Sequence, residues 1–304
     1  MDRIRSVNQV RKALEEQLYI ADRGLAMAVF LAVKLNKPLF LEGEAGVGKT
    51  EIAKVLSTML ERPLIRLQCY EGLDVNTAVY EWNYTRQMLQ IRLWEAAGRV
   101  DEQRTLKEIF SPEFLLKRPL LQAIDGAGGT APILLIDELD RADEEFEAFL
   151  LEVLSDFQIS IPEVGTIVAK QPPIVVITSN RTREIHDALK RRCLYHWIDY
   201  PSFEKEYRIV LAKVPGATDR LAREAVGFVQ QLRREDLYKL CGVAETLDWM
   251  AALVTLDQKA LDEEMVGETL GLLLKYHDDI QQVKGAVVHR LLSQVQQVEQ
   301  ADHE

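Results

Sequence analysis

The sequence contains few cysteines, no long hydrophobic run and no excess of positive charge. Its three cysteines, Cys69, Cys193 and Cys241, lie far apart and form no CxxC pair, so neither a disulfide framework nor a zinc site is indicated. The longest apolar stretch near the start, Leu25 to Val33, is too short to cross a bilayer and lacks the cleavage site of a signal peptide. These absences predict a protein of the reducing cytoplasm without a membrane span.

The composition is that of an ordinary globular protein. The chain has 304 residues, of which 47% are apolar and 28% charged, and this length suits one large domain or two modest ones. Its formal net charge of -11 repels a phosphate backbone, so general nucleic-acid binding is not expected. The five histidines do not cluster with cysteines or acids at the spacing of metal ligands.

Short apolar runs alternate with helical patterns through the first 200 residues. Five of these runs read as strands, namely Pro38–Leu41, Leu64–Cys69, Ile133–Ile136, Ile174–Thr178 and Tyr195–Ile198. Such alternation predicts an α/β fold with a five-stranded parallel sheet that is covered on both faces. After Pro201 only helical patterns remain, so we predict an α/β domain over residues 1–200 and a smaller all-helical domain over residues 201–304.

Three shorter patterns give less regular predictions. Leu73 to Trp82 is typical of a short helix, and Trp82 to Leu93 alternates irregularly, as a hairpin does. Phe157 to Lys170 suits a hairpin that turns near Pro162 to Gly165. The apolar residues from Ile280 onward recur at helical spacing and predict one last helix.

A glycine-rich loop follows the first strand and precedes a helix. It has the pattern GxxxxGK[ST], and its residues are Gly43, Glu44, Ala45, Gly46, Val47, Gly48, Lys49 and Thr50. The glycines let successive backbone N–H groups point at phosphate oxygens, and the helix start adds a positive end. This context predicts a P-loop in which Lys49 reaches the β- and γ-phosphates of ATP and Thr50 binds Mg2+.

Two acids end the third strand. Asp137 and Glu138 follow Ile133 to Ile136, at the carboxyl edge where open α/β sheets bind their ligands. Beside a P-loop, Asp137 is predicted to hold Mg2+, directly or through water. Glu138 is predicted to orient and polarise an attacking water, which favours an ATP-hydrolysing enzyme over a kinase.

Two further segments resemble parts of the AAA+ ATPases. Ile174 to Asn180 resembles the sensor-1 strand of that family, which implies that Asn180 lies near the γ-phosphate and helps to position water; alternatively, Asn180 caps the following helix. Asp187 to Cys193 resembles the segment in which an arginine ends a helix and reaches the nucleotide of the neighbouring subunit. Arg192 matches that arginine best and Arg191 is the second choice, while the alternative is a basic helix end that interacts with its own dipole.

More closely, the chain resembles the MoxR group of AAA+ ATPases over nearly all of residues 15–200. The segments that carry this resemblance are Gly43 to Thr50, Phe114 to Leu121, Asp137 to Ala142 and Ile161 to Pro173. Within the group, Leu67 to Asp74 and Arg183 to Cys193 are most similar to the CoxD-like branch, which serves the maturation of aerobic carbon monoxide dehydrogenase.

The resemblance implies a P-loop AAA+ core followed by a helical lid, with ATP and Mg2+ as cofactors. It implies a ring, expected to be a hexamer, that remodels a protein in a chaperone-like manner. The implied partner is a protein with a von Willebrand A domain, and the implied client is the molybdenum–copper carbon monoxide dehydrogenase or a related molybdenum hydroxylase. A nucleic-acid-associated AAA+ ATPase, such as a loader or helicase-like protein, is the alternative.

Two features of this sequence bear on that resemblance. Members of the family often have a sensor-2 arginine early in the helical domain, but Thr246 stands at its place here, and Arg141 is one substitute for its charge. Tyr80, Trp82 and Tyr84 lie on an expected insert, where they either grip a substrate or pack within the insert.

Overall fold

The computed structural model describes residues 4–98, 108–126 and 129–302. The chain divides into two compact units, which we call the sheet unit and the helical unit. The sheet unit comprises Met1–Ala13, Asp22–Glu42 and Thr50–Trp197, and the helical unit comprises Leu14–Ala21, Gly43–Lys49 and Ile198–Glu304. The domain division at residue 200 stays a prediction.

Nine strands are found in the described part of the chain. They are β1 Leu39–Gly43, β2 Leu64–Gln68, β3 Tyr80–Trp82, β4 Leu115–Lys117, β5 Ile133–Asp137, β6 Gln158–Ile161, β7 Gly165–Val168, β8 Ile174–Ser179 and β9 Leu194–Ile198. Strands β3 and β4 form one antiparallel pair, and β6 and β7 form another.

The same described residues form fourteen α-helices. They are α1 Val7–Glu16, α2 Arg23–Leu35, α3 Lys49–Leu60, α4 Val75–Ala78, α5 Tyr84–Ala96, α6 Pro119–Asp125, α7 Glu144–Asp156, α8 Asp187–Arg192, α9 Phe203–Lys213, α10 Asp219–Leu232, α11 Val243–Thr255, α12 Glu263–Leu273, α13 His277–Val283 and α14 Ala286–Asp302. No helix among the described residues is long and apolar enough to span a bilayer.

The five predicted strands form one parallel sheet in the order β2-β5-β8-β1-β9. Every residue of β5 and β8 is buried, as expected of central parallel strands that are covered on both faces. All of these residues except Asp137, Thr178 and Ser179 are Ile, Leu or Val. The predicted α/β class and five-stranded sheet are therefore confirmed. The sheet brings the carboxyl ends of β2, β5 and β8 to one edge, where the predicted acids lie.

The helical unit has a core of its own. Trp249 of α11 is fully buried within it, packs against Phe228 of α10 with ring centroids 5.6 Å apart, and donates from Nε1 to the Thr269 hydroxyl at 2.8 Å. A large aromatic ring contributes much buried area, and the hydrogen bond satisfies its one polar group. The unit is thus folded around its own apolar centre, as the helical patterns after Pro201 predicted.

The prediction of a hairpin over Trp82 to Leu93 is wrong. Asn83 caps a helix instead, because its side chain accepts from the Arg86 backbone N–H at 3.0 Å, and the residues that follow are mostly good helix formers. The strand partner of β3 is β4, more than 30 residues further along the chain. Local alternation could not reveal a partner so distant in sequence.

Three smaller predictions have mixed outcomes. The helix expected over Leu73 to Trp82 is shorter, since α4 ends at Ala78 and β3 follows. The hairpin expected over Phe157 to Lys170 is confirmed as β6 and β7. The prediction of a single last helix is wrong, because Gly285 separates α13 from α14. Gly285 has a φ of 82°, a conformation that glycine adopts without steric cost.

Candidate functional site

The glycine-rich loop, Gly43 to Gly48, depends on backbone conformations that favour glycine. Gly43, Gly46 and Gly48 have φ values of 156°, 75° and 91°, in the region that side chains with a Cβ rarely adopt. A Cβ on Gly43 would also lie 2.0 Å from the carbonyl oxygen of Ile198. Both the conformation and the close approach therefore require glycine at position 43.

The lysine of the loop is buried among loop carbonyls. Lys49 is 6% exposed, and its Nζ donates to the carbonyl oxygen of Gly43 at 2.7 Å and to that of Glu44. Lys49 also begins α3, so the positive end of that helix lies at the same place. A cation and a helix N-terminus around a wrapped loop form a site that suits a phosphate group.

The start of α11 contacts this loop within the helical unit. The backbone N–H of Ala244 donates to the carbonyl oxygen of Gly46 at 3.1 Å, and a Cβ on Gly242 would lie 2.7 Å from the carbonyl oxygen of Ala45. Thr246, which lies at the expected sensor-2 position, is fully buried and donates to Glu206 at 2.8 Å. This part of the helical unit therefore meets the loop through main-chain atoms.

The sheet unit holds the two acids at the end of β5, and Asp137 is the more buried. Its Oδ1 accepts from the Thr50 hydroxyl at 2.9 Å and from the Thr178 hydroxyl at 2.6 Å. Its Oδ2 accepts from Arg66 Nε at 3.0 Å, and a second guanidinium nitrogen of Arg66 also contacts this oxygen. The carboxylate is 2% exposed, so these donors compensate a charge that burial alone would disfavour.

Glu138 is more exposed than Asp137, and three side chains from different segments contact its carboxylate. Gln68 Nε2 and Arg141 Nε lie 3.1 and 3.0 Å from its Oε2, and Asn180 Nδ2 lies 3.3 Å from its Oε1. The side chain is 33% exposed, and its backbone has a φ of 54°, which is uncommon for a non-glycine residue. Such strained residues concentrate at functional sites.

Asp140 organises the loop that carries Asn180. Its carboxylate accepts from the backbone N–H of Asn180 at 3.2 Å, and from the backbone N–H and hydroxyl of Thr182 at 2.9 and 2.7 Å. Burial would raise the pKa of Asp140, but these hydrogen bonds outweigh burial and lower it. A charged, buried Asp140 thus fixes the backbone from which Asn180 reaches Glu138.

The two candidate arginines of α8 differ in their surroundings. Arg192 donates to the Leu151 carbonyl oxygen and to the Ser155 hydroxyl on α7 of the same chain. Arg191 is exposed, and no described residue forms a hydrogen bond or ion pair with it. His186 caps α8, since its Nδ1 accepts from the Ala188 N–H at 3.2 Å.

The residues near Asp137 fit a magnesium ion. The Thr50 hydroxyl and the Asp137 carboxylate lie within hydrogen-bond distance of each other, and both offer the hard oxygen ligands that Mg2+ prefers. Mg2+ commonly takes only one or two ligands from the protein and the rest from phosphate and water. The described residues contain no cluster of three or more His, Cys, Asp or Glu side chains that could hold a metal.

Sequence reasoning proposed contiguous residues for the site and did not propose the side chains that pack around them. Arg66, Gln68 and Thr178 all contact the acids, yet none was assigned a role. One signal was present: Arg66 and Gln68 alternate with buried Leu67 and so share a face of β2. That signal has meaning only once β2 is known to pair with β5, where Gln68 lies opposite Asp137.

Comparisons with known proteins agree with this arrangement. The family described as AAA domain (dynein-related subfamily) matches residues 38–193. A protein of Staphylococcus epidermidis is 24% identical over 234 residues, covering 75% of this chain and 79% of its own. A Staphylococcus saprophyticus protein is 24% identical over 235 residues, covering 75% and 80%; both carry the name of uncharacterized proteins.

Solved structures also resemble the chain. The Holliday junction branch migration motor RuvB of Thermotoga maritima is 16% identical, with a TM-score of 0.44 over 89% of this chain and 72% of its own. The family match, by contrast, spans just over half of the 304 residues and contains both the phosphate loop and the acids after β5. The chain therefore belongs to the AAA domain family of ATPases, in its dynein-related subfamily.

Proposed function

We propose that this AAA ATPase hydrolyses ATP at its phosphate loop and uses the energy to remodel a protein during metalloenzyme maturation. The backbone from Gly43 to Gly48 would bind the phosphates, and Lys49 would move its ammonium group from the loop carbonyls to the β- and γ-phosphates. Thr50 and Asp137 would hold Mg2+, which neutralises charge on the phosphates when bound. The single observation that carries the hydrolytic part is the partly exposed Glu138, held between Gln68 and Asn180.

Glu138 suits the role of the residue that orients water. It keeps one third of its surface accessible, and its carboxylate oxygens face amide donors from two different strands or strand ends. A base must lie within hydrogen-bond reach of the proton that it takes, and three donors fix the carboxylate in one place. Asn180 would share the same water, because it already contacts Glu138.

The arginine that completes catalysis is proposed to come from a neighbouring subunit in a ring, which we expect to be a hexamer. AAA ATPases typically oligomerise, and an arginine supplied from a neighbour stabilises charge in the transition state. Arg192 would first have to leave Leu151 and Ser155, whereas exposed Arg191 needs no such rearrangement. Mixing each alanine variant with an excess of Lys49→Ala subunits tests which of the two serves another subunit.

A protein client is favoured by the surface of α5. Tyr84, Met88, Leu89 and Leu93 on this helix are all exposed, Tyr84 by 66%, and an exposed apolar patch commonly marks a protein-binding surface. Trp82, by contrast, is buried and packs against Phe110 with ring centroids 5.2 Å apart. We therefore propose that α5, rather than Trp82, contacts the client.

The identity of the partners rests on the resemblance to the MoxR group. We propose a von Willebrand A-domain protein as the partner and a molybdenum hydroxylase, such as the carbon monoxide dehydrogenase, as the client. The net charge of -11 disfavours the second candidate, a nucleic-acid-associated ATPase, because an acidic chain repels the phosphate backbone.

A substrate trap tests the proposal. Glu138→Gln should bind ATP and hydrolyse it slowly, so that partners stay bound and can be recovered from a lysate of the source organism. Recovery of a von Willebrand A-domain protein together with a molybdenum hydroxylase is the expected result, with Lys49→Ala as the control that should recover neither. Recovery of replication or repair proteins with nucleic acid would overturn the proposed purpose, and absence of ATP turnover in the unsubstituted protein would overturn the hydrolytic part.

A further inference from the structure

Arg66 connects the two acids that follow β5, although it belongs to neither motif that the sequence displays. It lies on β2, the edge strand of the sheet, and its side chain is 51% exposed. Its guanidinium contacts Asp137 through Nε and Nη2, and Nη2 also donates to Gln68 Oε1 at 2.5 Å. One side chain therefore binds Asp137 directly and reaches Glu138 through Gln68.

The contact with Gln68 fixes which way that amide points. A guanidinium has only donors, so it can be satisfied by the carbonyl oxygen of an amide and not by its nitrogen. With Oε1 turned to Arg66, the NH2 group of Gln68 faces Glu138 Oε2, at 3.1 Å. Without Arg66 the oxygen of the amide loses this donor, and its orientation depends only on the contacts of the NH2 group with Glu138 and, at 3.5 Å, with the Cys69 carbonyl oxygen.

The planar shape of the guanidinium is essential to this double contact. Two of its nitrogens bind Asp137 while one of them also binds Gln68, a fork that a lysine ammonium on a flexible stem cannot reproduce with fixed geometry. The register of the sheet brings these side chains together, since Gln68 lies opposite Asp137 and Arg66 lies two residues earlier on the same face of β2.

We propose that Arg66 is a positioning residue of the hydrolytic centre: it fixes Asp137 and, through the oriented amide of Gln68, fixes the carboxylate of Glu138. The proposal rests on the proposed ATPase function of these acids. We expect Arg66 to act on kcat more than on nucleotide affinity, because it reaches, through Gln68, the acid that is proposed to orient the attacking water. Its partial exposure leaves the guanidinium open to water, so its removal need not leave a void in the core.

The test compares kcat with KM in a small set of variants. Arg66→Ala should lower kcat about 10- to 100-fold, the range expected when a catalytic group is misplaced by about 1 Å. KM should stay within about threefold, the pattern of an interaction made in the transition state. Arg66→Lys should recover less than the full rate, because it can compensate Asp137 without orienting Gln68.

Gln68→Met then tests the connection between the acids. It removes the hydrogen bonds of the amide with Arg66 and Glu138 at similar side-chain volume, and it should lower kcat as well. In the Arg66→Ala/Gln68→Met double variant the second substitution should add little, since residues in one hydrogen-bond network are not additive. Fully multiplicative losses would show that the two residues act separately and would overturn the proposal.

Two measurements other than activity separate positioning from binding and folding. Calorimetric binding of Mg2+–ADP to Arg66→Ala should stay within about threefold of the unsubstituted protein, and a loss of binding greater than that would make Arg66 a binding residue instead. The melting temperature of Arg66→Lys, which keeps a positive charge beside the buried Asp137, should match that of Arg290→Lys, a control at an arginine that is 50% exposed and paired with Glu235. Unchanged kcat in Arg66→Ala would overturn this proposal alone, whereas an unsubstituted protein without turnover would overturn it together with the proposed function.

Discussion

Two charged clusters of similar composition have opposite surroundings. In the helical unit, Arg233 contacts both carboxylate oxygens of Glu206 at 2.6 and 2.7 Å, and the two side chains are only 7% and 0% exposed. In the sheet unit, Asp137 is just as buried, but Glu138 beside it and both arginines that contact this pair of acids are open to solvent. We call these the closed cluster and the open cluster.

In the closed cluster, both carboxylate oxygens of Glu206 already accept hydrogen bonds from neighbouring side chains. Glu206 accepts from Arg233, from the Thr246 hydroxyl at 2.8 Å and from Gln230 Nε2 at 2.7 Å, while Arg233 also donates to the Cys241 carbonyl oxygen. Burial opposes the charge of Arg233, but the hydrogen bonds and charge of Glu206 outweigh it and raise the pKa of the guanidinium. Arg233 is thus bound to Glu206 and Cys241 within the helical unit.

The two clusters differ in how accessible their charged groups are to a ligand. Both clusters contain an arginine, a buried carboxylate and a threonine hydroxyl, so residue type does not distinguish them. What distinguishes them is whether a charged group keeps accessible surface and an unusual backbone, as Glu138 does. Strain and exposure are retained where a ligand has to be reached.

The largest expected effect follows from neutralising the closed cluster. Glu206→Gln leaves the charge of Arg233 buried without its partner, which should lower the free energy of unfolding by about 3–5 kcal/mol. Urea unfolding of the isolated protein measures this loss. Glu263→Gln is the matched control, because its pair with His289 is exposed and exposed pairs contribute little. Equal stability of the two variants would contradict the distinction between the clusters.

The same isosteric change in the open cluster should act on rate. Glu138→Gln should lower kcat for ATP about 100-fold or more, the usual contribution of a general base, with a melting temperature close to that of the unsubstituted protein. Steady-state phosphate release measures the rate, and Glu144→Gln, an exposed acid at the start of α7, is the control. A Glu138→Gln protein that unfolds early but turns over normally would reverse the assignment.

A third prediction concerns the loop contact of α11 next to the closed cluster. In Gly242→Ala the new methyl group would lie 2.7 Å from the Ala45 carbonyl oxygen and 2.9 Å from Gly46 Cα. Overpacking of this kind costs about 1–3 kcal/mol. It should weaken nucleotide binding, because the backbone of the glycine-rich loop would have to move away from the new methyl group. Gly271→Ala is the control, since nothing lies within 4 Å of its Cβ position. Nucleotide binding that survives unchanged would show that the loop tolerates displacement of α11.

The smallest effect concerns one cysteine beside each cluster. Burial, followed by the charges of Asp137, Asp140 and Glu138, raises the pKa of Cys69 to about 12, and burial raises that of Cys241 to about 11 despite the charge of Arg233. The thiolate is the reactive form, so both thiols should resist alkylation in the folded protein at pH 8.

A thiol titration checks this expectation. Denaturant should expose all three cysteines of the chain, whereas the folded protein should react slowly, if at all, at Cys69 and Cys241. Because folding raises these pKa values above the ordinary 9.0, stability from the thiols is complete below pH 9 and is lost as the pH rises toward 11 and 12. Rapid labelling of Cys69 at pH 8 would contradict this prediction, because it would mean that the reagent reaches a thiol that is buried beside the open cluster.

The strands, the glycine-rich loop and the pair of acids could be predicted from the sequence, because each is recognised from a short contiguous stretch of residues. The five apolar runs became the five strands of the sheet, and the glycine-rich loop and the Asp137–Glu138 pair could be located because each lies within a few residues of a strand end. The helical character after Pro201 was equally readable, since amphipathic periodicity needs no knowledge of distant partners.

Only the tertiary structure decided which distant residues surround the acids. Arg66 and Gln68 reach Asp137 and Glu138 because β2 pairs with β5, and Thr178 does so because β8 lies on the other side of β5. The same is true of β3, whose partner β4 comes after α5. The order of the strands depends on packing between residues that are far apart in the sequence and on the connections between strands. Local sequence patterns therefore do not predict it.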